Sequence, residues 1–234
     1  MTGSAVSIVL VHGAWADGSS WSKVIPLLQA KGFPVIAVQI PLTSVEDDLA
    51  ATNRIIADID GPIVLVGHSW GGMAITQAGN DPRVAVLVYV SAFAPDIGET
   101  GSSLIGAHPT PPALSTIVTD SAGYVYQTID GMAENVAPDI AIADAHVLAA
   151  TQGRLAAKAF GQSVTVAAWK TRPSWFIVTI NDRVVSPELQ AAEAKRMGAR
   201  TTVLQASHMS LLSHPADVAA VIEAAAATIV AEPR

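Results

Sequence analysis

A serine, a histidine and an aspartate stand in this 234-residue chain in the order and surroundings that nucleophilic chemistry needs. Ser69 lies in Gly67-His68-Ser69-Trp70-Gly71, a G-x-S-x-G pattern. A serine at the apex of a sharp strand-to-helix turn has its Oγ pushed out of the sheet, and the crowded backbone there needs small residues two positions to either side. Alone the pattern is weak: with Gly and Ser each at about 7% of residues, about one chain in ten of this length carries it by chance. A serine hydroxyl is a poor nucleophile at neutral pH. It needs a neutral imidazole to take its proton and a carboxylate to hold that imidazole in one tautomer. His208 is the candidate base and Asp182 the candidate acid, with His214 and Asp96 as their respective rivals. A developing oxyanion would be met by two backbone N–H groups, that of Trp70, just after the nucleophile, and that of Ala14 in the loop after the first strand.

The elements that must position these groups are legible in order. Residues 6–11 form a continuous apolar run, which predicts a strand, and lead into the glycine-flanked loop His12-Gly13-Ala14-Trp15-Ala16-Asp17-Gly18. Trp21, Val24, Ile25 and Leu28 repeat at helical spacing, and Gly32 ends that helix. Residues 33–39 predict the second strand. Ser44 is placed to cap a helix with Glu46, Asp47 and Asp48 in its first turn and Leu49, Thr52, Ile55, Ile56 and Ile59 on its core face. After the turn at Asp60-Gly61-Pro62 come the strand before Ser69, a helix over residues 73–79, a break at Asn80-Asp81-Pro82 and a strand over residues 84–90.

Regularity then lapses. Pro95, Pro109, Pro111, Pro112 and Pro138 interrupt the next eighty or so residues, and only residues 140–160 look helical again. So long an insertion at the ligand end of a sheet is usually a lid or cap. A strand over residues 174–180 leads directly into Asn181-Asp182-Arg183, and Ser186-Pro187-Glu188 reads as a capped helix start, with the helix ending near Gly198. A last strand at residues 201–204 precedes Gln205-Ala206-Ser207-His208, and a final helix buries Val218, Val221, Ile222, Ala225 and Ile229. Strands that are apolar throughout, separated by helices, belong to a parallel sheet covered on both faces. The expected architecture is therefore α/β: a mostly parallel six-stranded sheet with helices on both faces. Residues 1–94 and 172–234 form the core domain, and residues 95–171 form a small, mostly helical cap inserted after the strand at 84–90. In such a sheet Ser69, Asp182 and His208 all follow the carboxyl ends of strands, where ligands bind.

Composition narrows the chemistry further. Half of the residues are apolar and 14% charged, which excludes a disordered linker, and no uninterrupted apolar run approaches the 18 or so residues of a membrane span. There is no cysteine, so disulfides, thiolate metal sites and a cysteine nucleophile are excluded. Net charge is −7 with scattered Lys and Arg, which argues against a nucleic-acid partner. Met1-Thr2-Gly3-Ser4 lacks the basic start of a signal peptide, so a cytoplasmic protein is expected. No His-Glu-x-x-His or paired-carboxylate spacing stands out, and neither a metal nor an organic cofactor is expected. The partner would be a small-molecule ester. Self-association is left open.

With the first-loop His12-Gly13, Gly67-His68-Ser69-Trp70-Gly71, Asp182 and His208 in place, the chain resembles an α/β-hydrolase over nearly its whole length outside the cap. More narrowly it is similar to the small esterases grouped with plant methyl esterases and hydroxynitrile lyases, and to their bacterial relatives. The lyases carry a threonine in the first loop and a lysine directly after the histidine. Here Gly13 and Met209 occupy those places, so the resemblance implies a serine carboxylic-ester hydrolase working through an acyl-enzyme. The alternatives are a cofactor-free lyase with the same three residues, and a hydrolase-fold binding protein with little turnover. Trp15, Tyr124, Trp169 and Met209 are candidate substrate contacts. His12 and His68 read as structural hydrogen-bonding groups, and His108 and His146 as surface residues.

Overall fold

The computed structural model describes residues 5–231, so the expectation about the first four residues lies outside the described residues. The first half alternates strand and helix: β1 (Ser7–Val11), α1 (Ile25–Ala30), β2 (Val35–Val38), α2 (Val45–Ala57), β3 (Ile63–His68), α3 (Gly71–Ala78) and β4 (Val84–Val90). A long insertion follows, with α4 (Gly101–Gly106), β5 (Ile117–Thr119), β6 (Tyr124–Gln127), α5 (Ile129–Gly131), α6 (Ile142–Thr151) and β7 (Leu155–Ala156). The chain then forms β8 (Ser174–Thr179), α7 (Pro187–Met197), β9 (Arg200–Leu204), α8 (Ser210–Ser213) and α9 (Pro215–Ala231).

The six expected strands make one sheet in the order β2-β1-β3-β4-β8-β9, and every pairing is parallel. β1, β3 and β8 are buried at every position, whereas β2 and β9, at the two edges, carry exposed residues. A strand covered on both faces must be apolar throughout, and an edge strand escapes that demand. Right-handed crossovers put α1, on the outward step from β1 to β2, on one face, and α2, α3 and α7, on steps in the other direction, on the opposite face. The long α9 packs against α1, β3, β4 and β8 and completes the first face.

Helix boundaries follow local chemistry. Ser44 accepts a hydrogen bond from the Asp47 N–H and caps α2; Ser186 does the same for the Leu189 N–H of α7, with Pro187 at the first helical position and Gly198 closing the helix at φ 62°. On α2, Thr52 and Ile56 are buried as expected, Leu49 and Ile55 only half-buried, and Asp48 is buried as well; Ile59, expected on the same face, is buried just beyond the end of the helix.

The insertion is more mixed than the helical segment expected. Besides α4, α5 and α6 it holds a three-stranded antiparallel sheet in the order β5-β6-β7. Its strands are too short for an alternating pattern to show. The β5–β6 turn is held by Asp120, whose carboxylate accepts the Ala122 and Tyr124 N–H groups, with Gly123 at φ 82°. No helix of the described residues is long and apolar enough to cross a membrane.

β1 leads outward to β2 on one side and lies against β3 on the other. The sheet order reverses there, so the carboxyl ends of β1 and β3 border the crevice where open α/β sheets bind ligands.

Candidate active site

Ser69 connects β3 to α3 with φ 53°, the left-handed region that residues with a Cβ rarely enter. Its conformation is held from three sides: its N–H donates to the Val90 carbonyl (3.1 Å), and its own carbonyl accepts from the N–H groups of Gly72 (3.0 Å) and Phe93 (3.2 Å). Sterics explain the flanking glycines. A Cβ on Gly67 would lie 2.9 Å from the Gly71 carbonyl oxygen, and one on Gly71 2.6 Å from those of Val11 and His12. Gly72, outside the five-residue pattern, is tighter still, since a Cβ there would overlap the Phe93 carbonyl oxygen.

The candidate acid and the candidate base are joined. His208 Nδ1 donates to Asp182 Oδ2 at 2.8 Å, and both side chains are buried. Asp182 is oriented by further donors: the Val184 and Val185 N–H groups meet Oδ1 at 2.8 and 3.0 Å, and the Gln190 side-chain amide of α7 meets Oδ2 at 2.8 Å. With Nδ1–H committed to a carboxylate, Nε2 is the unprotonated nitrogen of a neutral His208. No hydrogen bond joins His208 to Ser69 among the described residues; such links are often loose without substrate and tighten in the Michaelis complex. The rivals are engaged elsewhere. Asp96 pairs with Lys170 (2.5 Å), and His214 Nδ1 contacts Ser213 Oγ (2.9 Å).

The two N–H groups expected to meet an oxyanion, those of Ala14 and Trp70, have no acceptor among the described residues. Beside them stand two buried histidines. Since His12 Nε2 accepts the Ile40 N–H (3.1 Å), its Nδ1–H donates to the Gly13 carbonyl (2.8 Å); His68 Nε2–H donates to the His208 carbonyl (2.9 Å). Burial lowers the proton affinity of both, and for His68 the neighbouring His208 adds to it, so each is a neutral brace. Gly13 lies against Ser69: a Cβ there would lie 2.6 Å from Ser69 Cβ and 3.1 Å from Ser69 Oγ.

A cavity of about 20 Å³ adjoins Ser69, room for about one water. Of the expected residues, Ala14, Trp15 and Trp70 line it, while Tyr124, Trp169 and Met209 do not. Tyr124 pairs with Ala156 in the small sheet, Trp169 donates its indole N–H to the Pro95 carbonyl (2.9 Å), and Met209 is buried ahead of α8. Phe93, Ile105, Leu114, Phe160 and Val184 complete the wall and escaped sequence reasoning, because an apolar residue that faces a ligand and one that faces the core look alike. Asp48 was also missed. It accepts the Trp70 indole N–H (2.9 Å) and the Leu42 N–H (2.7 Å), and burial outweighs these bonds to push its carboxyl up to about 6. Its position three residues after Val45 and four before Thr52, on the buried stripe of α2, is the signal that would have found it.

Comparison with known proteins agrees with the geometry. Probable hydrolase R7 of Phoma sp. is 27% identical over 237 aligned residues, which cover 92% of this chain and 96% of that protein. Methylesterase 2 of Arabidopsis thaliana is 35% identical over 109 residues, but these span only 38% of this chain and 40% of the plant protein. The crystal structure of a pyrethroid hydrolase from Sphingobium faniae shares the fold, with a TM-score of 0.81 at 22% identity, covering 97% of this chain and all of that one. A sharp serine turn at the sheet's switch point, an aspartate–histidine pair after later strands, and a match to the alpha/beta hydrolase family over residues 8–221 lead to one assignment: the chain belongs to the alpha/beta hydrolase family.

Proposed function

We propose that the protein is a serine hydrolase that cleaves a small or medium apolar carboxylic ester through an acyl-enzyme. The observation that carries this reading is the buried 2.8 Å bond between His208 Nδ1 and Asp182, which leaves Nε2 as the base on a ring whose backbone is braced by His68, the neighbour of Ser69. Ser69 Oγ attacks the ester carbonyl as His208 Nε2 takes its proton. The oxyanion is received by the N–H groups of Ala14 and Trp70, each worth about 3 to 4 kcal/mol in comparable sites. His208 then protonates the leaving alkoxide. Water, deprotonated by the same nitrogen, attacks the acyl carbonyl and releases the acid and free Ser69.

The wall of aromatic and aliphatic side chains favours an uncharged acyl group, and relatives named as hydrolases and esterases support ester chemistry. Residues 95–171 act as a cap over a core of residues 1–94 and 172–234. The acyl group would enter the cavity beside Ser69. The lyase alternative is disfavoured at Gly13, where no hydroxyl stands beside Ser69.

The test is turnover of short-chain nitrophenyl esters and labelling by a fluorophosphonate, wild type against Ser69→Ala. A loss of at least about 10⁴-fold in kcat is expected, with no labelling of the variant. Labelling that survives the substitution would sink the serine mechanism. Cyanide release from mandelonitrile would favour a lyase. Ligand-induced thermal stabilisation without any turnover would favour a binding protein.

A further inference from the structure

His208 sits in the short segment between β9 and α8, and three ties hold that segment. Two come from the core: the Asn181 N–H donates to the Ala206 carbonyl (3.1 Å), and His68 donates to the His208 carbonyl (2.9 Å). The third comes from the insertion. Asp139 Oδ2 accepts the Ser207 N–H (2.8 Å) and the Ser213 hydroxyl (2.9 Å), while Asp139 Oδ1 accepts the Ser207 hydroxyl. Ser207 itself is buried, and Asp139 is open to solvent on its outer side. A two-point hold on one residue fixes the orientation of its peptide as well as its position, and the next residue along is His208.

The insertion grips the neighbours of the other site residues too. The Trp15 N–H, one residue after Ala14, donates to the Gly153 carbonyl (3.0 Å), and its indole N–H to the Val125 carbonyl (3.2 Å). Arg183, directly after Asp182, donates from Nε to Asn135 Oδ1 (2.8 Å), and its carbonyl accepts the Ala113 N–H (2.9 Å). Of these ties only Asp139 brings a carboxylate to three donors at once, and hydrogen bonds to an ionised acceptor are roughly twice as strong as neutral ones.

We infer that Asp139 is a positioning residue for His208, so that the insertion's seating on the core and the alignment of the imidazole are one event. The inference rests on the hydrolase reading above. Asp139 touches neither substrate nor imidazole; it acts through the Ser207 peptide. Misplacing a reacting group by about 1 Å can cost about 10²-fold in rate.

Asp139→Ala is expected to lower kcat on nitrophenyl esters about 10- to 100-fold with KM changed less than about twofold. Asp139→Asn, which keeps an acceptor for Ser207, restores part of that loss. Asp120→Ala is the matched control: it removes a half-buried aspartate that ties the β5–β6 turn and pairs with Arg154, on the same insertion but away from Ser207. It should leave kcat unchanged. The second readout needs no turnover: the downfield proton resonance of the His208 Nδ1–H bonded to Asp182, expected in the wild type and Asp120→Ala and shifted or broadened in Asp139→Ala. An unchanged kcat and an unchanged resonance in Asp139→Ala overturn the inference, as does a loss confined to KM. A wild type without turnover defeats the hydrolase reading, and the resonance still decides the role of Asp139.

Discussion

The central sheet and the insertion above it share one apolar cluster but differ in what they add to it. β1, β3 and β8 are buried from end to end, and their stability comes from apolar contact on both faces. The insertion leaves Ile97, Ile129, Ile142 and Val147 exposed, packs on the core through Leu104, Val125 and Leu155, and adds a polar seam of Trp15, Arg183, Ser207 and their partners. The sheet thus decides where the backbones of Ser69, Asp182 and His208 emerge, and the insertion decides how the loops that carry them are finished. Apolar packing gives a position that does not vary; a seam of hydrogen bonds can be broken and remade against water at little net cost.

The sharpest way to break this contrast is a pair of glycines. Gly72→Ala would drive a methyl group into the Phe93 backbone, which cannot rotate aside, and should destabilise by more than about 4 kcal/mol or prevent folding. Gly106→Ala, in α4 of the insertion with nothing within 4 Å, should be neutral or stabilising by up to about 1 kcal/mol in a urea titration. A smaller effect is expected from core truncation. Leu65→Ala in β3 should cost about 3 to 5 kcal/mol, against less than about 0.5 kcal/mol for Val147→Ala on the exposed face of α6. If both insertion changes cost as much as the core changes, the two regions form one cooperative core and the contrast falls.

Glu193 sharpens the comparison through pH. It is buried on α7, one carboxylate oxygen accepts the Ala94 N–H (2.9 Å), the other has no partner among the described residues, and burial pushes its carboxyl up to about 8. A folded-state value above the unfolded 4.5 means that the folded protein binds the extra proton. Its contribution to stability is therefore complete below about pH 4.5 and lost as pH rises towards 8. Glu193→Gln, a neutral isostere, should flatten that part of the stability profile, by on the order of a few kcal/mol across the window. An unchanged slope between pH 5 and 8 would mean that Glu193 is already ionised in the fold.

Most of the sheet was legible because burial on both faces writes long apolar runs; Ser69 and Asp182 follow such runs, whereas His208 follows β9, an edge strand whose exposed residues leave a weaker signal. Trp15 lies on the cavity wall next to Ala14, the expected oxyanion donor. The insertion resisted. β5, β6 and β7 have two to four residues each, too few for a period, and are set by tertiary contacts and by the Asp120 turn. Tyr124, Trp169 and Met209 stand out in the sequence by size and neighbourhood, but tertiary packing places them away from the cavity beside Ser69. Asp139 acts over a separation of 68 residues, which no local pattern records, whereas Asp48, 22 residues from Trp70, shows only as an acid on the buried stripe of α2.

Gly13 also bears on the placement of Ser69. A Cβ at that position would lie 2.6 Å from Ser69 Cβ, closer than packed atoms come, so any larger residue there requires the first loop or the serine turn to shift. The placement of Ser69 and the size of residue 13 are therefore set together, whereas Ile105, Leu114 and Phe160 already present side chains to the cavity.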